Sequence, residues 1–101
     1  MDADKLRRWA SDKRIVAVGE TGLDYFYDKE SASDQQKHFI THLKIAAEVN
    51  KPVIIHSREA CEDTIASIKN YAGSAAGVLH CFTENWDMAK RAIDMGFYIS
   101  I

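Results

Sequence analysis

Four short apolar runs, at residues 15–20, 52–58, 77–82 and 97–101, are separated by amphipathic segments of helix length. Each run is near-continuous in apolar residues instead of alternating strictly with polar ones, which is the pattern of parallel strands covered on both faces. After the first run, Ser33 and Gln36 stand at capping-box spacing, and Phe39, Leu43, Ala46, Ala47 and Asn50 follow at helical spacing. This predicts a helix from about 34 to 49, stopped by Asn50, which suits a left-handed cap, and by Pro52, which cannot continue a helix. A second helix, about 59 to 71, places Cys61, Ile65, Ile68 and Ala72 on one face. A third, about 85 to 95, turns Met88, Ala92 and Met95 inward and ends at Gly96. The element order is therefore βαβαβαβ, an α/β chain whose crossovers are right-handed and whose strands all point the same way.

In such folds functional side chains gather at the carboxyl ends of strands. The first run ends in Glu20, within IVAVGETGLDY; the second carries His56, within PVIIHSR; the third carries His80, within GVLHCF. Side chains alternate across a strand, so Val16, Val18 and Glu20 share a face, as do Ile54, His56 and Arg58, and Val78, His80 and Phe82. Taken singly, each is the pattern of a solvated acid or a hydrogen-bonded core histidine. Taken together, a carboxylate and two imidazoles on three strand ends make a divalent-metal site of zinc, manganese or magnesium type. Gly19 and Gly22 around the glutamate allow a sharp turn and a close ligand approach. Asp24, Tyr25 and Arg58 lie beside this centre and fit either loop structure or substrate contact.

Other residues read more simply. His38 and His42 are four apart on the first helix, but without an H-E-x-x-H glutamate they form a solvated face. Cys81 lies opposite His80 and reads as core; Trp9 and Trp86 read as packing residues.

Composition narrows the setting. The chain has 101 residues, 47% of them hydrophobic and 28% charged, which allows one compact core. No apolar run approaches the roughly 18 to 20 residues that spanning a bilayer needs, so no membrane association is expected. The charged opening MDADKLRRWASDKR has no apolar signal segment, and Cys61 and Cys81 lack C-x-x-C spacing, so the expected compartment is cytoplasmic. A formal net charge of -2 means that overall electrostatics does not hold any nucleic acid.

VGETGLDY, KPVIIHSR, GVLHCF and GFYISI together resemble consecutive motifs of the TatD-related metal-dependent deoxyribonucleases, members of the amidohydrolase-like TIM barrels. The resemblance runs from residue 15 to 101. It implies an eight-stranded (β/α) barrel, of which these segments resemble the fourth to seventh strands. It further implies that Glu20 bridges two divalent ions (Mg, Mn or Zn) and serves as a catalytic residue, while His56 and His80 ligate one of them. The implied activity is metal-assisted hydrolysis of DNA phosphodiester bonds, of 3′–5′ exonuclease or related type. Arg58 would meet a phosphate and Tyr25 would stack a terminal base, with Asp24 beside them. The same chemistry also suits an esterase or deacylase acting on aminoacyl-tRNA, or survives as an inactive metal-binding remnant. The family's opening H-x-H strand and closing aspartate strand have no counterpart in residues 1–101, and a barrel needs roughly 200 to 250 residues. The chain is therefore expected to be one central fragment, a partial barrel of about four strands. Unpaired strand edges predict self-association.

Overall fold

The computed structural model describes residues 3–26, 30–80 and 85–100. Cys81, Phe82 and Ile101 lie outside the described residues. The chain runs through α1 (Ala3–Ser11), β1 (Val18–Asp24), α2 (Ala32–Val49), β2 (Val53–Arg58), α3 (Cys61–Tyr71), β3 (Gly77–Leu79), α4 (Trp86–Asp94) and β4 (Tyr98–Ile99). The strands form one sheet in the order β1-β2-β3-β4, every pair parallel.

Sequential order fixes where the helices go. When each parallel strand adds beside the last through a crossover of one hand, all the helices fall on the same face of the sheet. That face holds the core: Val18, Leu23, Val53, Ile55 and Leu79 from the strands meet Phe39, Leu43, Ile65, Ile68, Met88 and Phe97. Burying each of the larger of these side chains contributes about 1.5–3 kcal/mol. Thr21 and Ser57 are the buried hydroxyls that the strands place on this face, and that of Ser57 is bonded to Thr64 on α3 at 3.0 Å. The opposite face is open. Val53, Ile55 and Ser57 of β2 are buried, whereas Ile54, His56 and Arg58 between them are only partly so. Coverage on both faces, expected from the apolar runs, is thus found on one face only among the described residues. Apolar residues such as Ile54 and Val78 belong to the other face, the one a closed barrel turns inward.

Several local expectations shift. A first helix, α1, precedes the sheet. Its charge hid a weak apolar stripe, Ala3, Leu6 and Ala10, that packs against the core. Arg7 pairs with Glu48 of α2 at 2.6 Å, and the Lys51 ammonium donates to the Ala10 and Asp12 carbonyls at its C-terminal end. Trp9 and Trp86, read as packing residues, are 60% and 73% exposed. At the start of α2 the expected capping box is absent: the N-cap is Ser31, and Gln35, not Gln36, reaches back to its hydroxyl at 3.0 Å. Asn50 does adopt the left-handed cap, at φ 55° and ψ 49°. Gly96 follows α4 at φ 90°. No helix among the described residues is long and apolar enough to cross a membrane.

Candidate metal centre

The first strand decides the geometry of the open face. It runs through Glu20 to Asp24, beyond the expected end, because its register slips by one residue. Val18 pairs with Val53 and Gly19 with Ile54, but the next partner, Ile55, pairs with Thr21. Glu20 is the extra residue of a β-bulge, the device by which a strand re-aims one side chain. Two glycines make it possible. Gly19 and Gly22 sit at φ 140° and 142°, and a Cβ on them would lie 2.5 Å from the Ile54 carbonyl oxygen and 1.8 Å from that of His56. Side chains cannot be accommodated there, so the flanking glycines are a condition of the bulge.

The bulge directs Glu20 across the sheet. Its Oε2 lies 2.8 Å from Nδ1 of His80, just past the end of β3, with β2 running between them. Both side chains are about half exposed, at 49% and 47%. His56 of β2 makes a second pair, its Nε2 3.1 Å from Oδ2 of Asp24. Three ligands in a single cluster were expected; the structure instead joins Glu20 to His80 and His56 to Asp24. Among the described residues no group of three His, Cys, Asp or Glu side chains is close enough to hold an ion.

The donor chemistry nevertheless fits a divalent metal. Imidazole nitrogen and carboxylate oxygen bind zinc at about 2.0–2.2 Å, so two donors sharing one ion lie about 3 Å apart, close to the Glu20–His80 separation. Zinc, manganese or magnesium would be held by Glu20 and His80, with His56 turning in as a further donor. Asp24 would then orient the His56 ring, the role a carboxylate commonly plays behind a ligating histidine.

Asp24 is itself firmly held. Gln35 of α2 accepts from its backbone N–H at 2.7 Å and donates to its carbonyl at 3.0 Å, standing in for a strand neighbour. Its second carboxylate oxygen accepts the Phe26 N–H at 3.0 Å. Tyr25, expected to stack a base, packs its ring against the core instead. Its hydroxyl donates to Asp63 at 2.8 Å and accepts from Gln36 at 2.7 Å. Burial pushes the Tyr25 hydroxyl pKa up, Asp63 adds to the rise, and the Gln36 bond opposes it. The exposed aromatic is its neighbour Phe26, over which the Arg58 guanidinium lies 3.9 Å from the ring centroid. On the far side of Tyr25 is a cavity of about 370 Å³, lined also by Glu59, Ala60, Cys61, Glu62 and Asp63. Its acids make it a poor seat for a polyanion.

His42, read as part of a solvated helix face, is half-buried beneath the sheet, with Nδ1 2.8 Å from the Thr21 hydroxyl. Burial holds its pKa below the ordinary histidine value. Sequence reasoning passed over Phe26 and Gln35 and misread His42 as solvated; the Phe26 aromatic next to the strand end was the one available signal.

A family model of TatD-related DNases matches residues 1–101. The chain belongs to that family. An uncharacterised metal-dependent hydrolase of Escherichia coli K12, YcfH, is 49% identical over 100 residues, covering 98% of this chain and 38% of the relative. A TatD protein of Pantoea ananatis, named a 3′-5′ ssDNA/RNA exonuclease, is 38% identical over 100 residues, with the same 98% and 38% coverage. The crystal structure of YjjV, a TatD homologue from Escherichia coli K12, superposes with a TM-score of 0.88 at 31% identity, over 96% of this chain and 38% of that one. The chain thus spans well under half the length of the TatD relatives it matches. Its four parallel strands with intervening helices have the α/β architecture of that barrel family, and the Glu20 bulge lies inside the matched region.

Proposed function

We propose that this chain supplies Glu20, His56 and His80 to the divalent-metal centre of a hydrolase that cleaves phosphodiester bonds of DNA, as a 3′–5′ exonuclease or a related nuclease. The observation that carries this reading is the bulge that presents Glu20 to His80 on the open face of the sheet. The metal dependence named for YcfH and the exonuclease activity named for the Pantoea ananatis protein support it.

When bound, magnesium, manganese or zinc ions, two of them in a full-length family member, lower the pKa of water and neutralise charge on the phosphoryl oxygens. The chain's own residues do the rest. Glu20 contributes negative charge, His56 and His80 contribute neutral nitrogen donors, and Asp24 keeps the His56 ring oriented. Arg58, two residues beyond His56 on the same face of β2, offers a guanidinium to a phosphate.

Single-stranded DNA labelled at its 5′ end, incubated with Mn²⁺, Mg²⁺ or Zn²⁺, tests this. Shortening from the 3′ end, abolished by chelation, is the expected result. Glu20→Gln should slow it by at least about 100-fold, beyond the 10- to 100-fold that loss of an outer hydrogen bond costs a metal site. Failure to cleave DNA with any of these metals, alongside release of the amino acid from aminoacyl-tRNA, would move the activity to ester hydrolysis.

A further inference from the structure

Val18 and Leu23 both face the helices, yet they are five residues apart, and residues on one face of a regular strand are an even number apart. The strand must therefore slip once between them, and the slip has two places to fall. At Glu20 it leaves Gly19 and Glu20 toward the open face and returns Thr21 to the helices. One residue later it would leave Thr21 and Gly22 open and turn Glu20 under the sheet. The structure takes the first course: Gly19 and Glu20 are exposed and Thr21 is buried.

Whether Glu20 meets His80 or faces the core depends on that choice. Thr21 now holds the place opposite Ile55 that Glu20 would take in the other arrangement. Beneath that place stands His42 of α2, and the Thr21 hydroxyl lies 2.8 Å from its Nδ1. Helix α2 is a firm anchor, since Phe39, Leu43 and Ala46 bury it in the core. Glu20 itself has no register partner on β2, and Gly19 before it has no side chain. The Thr21 side chain is thus the nearest one in the strand that fastens Glu20 to the rest of the fold.

We propose that Thr21, through its hydrogen bond to His42, is a positioning residue for the metal centre: it places the slip at Glu20 and so aims the Glu20 carboxylate at His80. The proposal deepens the metal-centre reading above and rests on it. The bond acts in two ways. It satisfies a hydroxyl that burial would otherwise leave unpaired, and it occupies the imidazole nitrogen that a carboxylate turned under the sheet would need.

Thr21→Val keeps the side-chain shape and removes the hydroxyl, whereas Thr21→Ser keeps the hydroxyl. In the absence of metal, the imidazole nitrogen resonances of His80 report its contact with Glu20, and Glu20→Gln marks where they lie when the carboxylate is gone. Thr21→Val should carry these resonances toward the Glu20→Gln positions, and Thr21→Ser should leave them at those of the parent chain. In calorimetric titration with Mn²⁺, Thr21→Val should bind about 10- to 100-fold more weakly than the parent, the usual cost of losing a partner behind a ligand, and Thr21→Ser should restore the affinity. If Thr21→Val matches the parent in either its His80 resonances or its Mn²⁺ affinity, whatever its melting temperature, the positioning role is overturned and the metal centre stands. No Mn²⁺ binding by the parent chain overturns the metal reading and the positioning role with it.

Discussion

Glu20 and His80, sixty positions apart, face each other at 2.8 Å across the intervening strand β2. Neighbouring strands lie about 4.8 Å apart, so two side chains on β1 and β3 meet only when both lean inward over the strand between them. The bulge at Glu20 supplies that lean, and the glycines beside it make the bulge possible.

Gly22→Ala tests that dependence. A methyl group there would lie 1.8 Å from the His56 carbonyl oxygen, on a backbone with φ 142°. Overpacking of this kind costs about 1–3 kcal/mol and the backbone strain about as much again. The melting temperature should fall by at least about 8 °C, given roughly 4–8 °C per kcal/mol for a domain of this size. An unchanged melt would contradict the close approach of β1 and β2.

Asp24→Asn keeps an oxygen for the Phe26 N–H but removes the charge facing His56. Zinc affinity should fall about 10- to 100-fold with the far-ultraviolet circular dichroism unchanged, as for other carboxylates behind a ligating histidine. Unaltered affinity would mean that Asp24 does not orient His56.

Stability should depend on pH through His42. Burial lowers its folded-state pKa below the ordinary value near 6.5, so between the two values the unfolded chain binds more protons. The contribution is full above about pH 6.5 and is lost as the pH falls through the folded-state value. Thermal melts from pH 7.5 to 5.5 should show this decline, and His42→Gln should flatten it. A variant as pH-sensitive as the parent would assign the effect to other groups.

The sheet edges predict association of copies. Among the described residues β1 pairs only with β2 and β4 only with β3. Trp9, Ile15 and Val16 are exposed beside the first edge, Ile93 and Tyr98 beside the last. Sedimentation should show concentration-dependent self-association, because unpaired edges template further pairing; a monomer at all concentrations would contradict this.

Much of this was legible in the residues. The four apolar runs located the strands, and Asn50 and Gly96 marked helix ends because their backbone conformations leave a compositional trace. His56 and His80 were placed by their position after apolar residues. The slip at Glu20 was not legible, since a bulge adds a residue without changing composition. The flanking glycines hinted at a turn, yet β1 continues to Asp24. Helix α1 escaped because only Ala3, Leu6 and Ala10 pack inward, while four charged side chains and an exposed Trp9 break up the rest of its surface. The division into Glu20–His80 and His56–Asp24 pairs depends on side-chain directions that period-two alternation, broken by the bulge, could not give. Tyr25 and Phe26 are adjacent aromatics, and the sequence alone does not say that Tyr25 turns inward, where its ring packs against the core and its hydroxyl meets Asp63 and Gln36.

The most direct test of the metal centre is calorimetric titration of the chain with Mn²⁺ and Zn²⁺ beside His56→Ala and His80→Ala. Stoichiometric binding that is lost in both variants is the predicted result. Binding indifferent to both substitutions, or no binding by the parent chain, would contradict the assignment of Glu20, His56 and His80 as metal ligands.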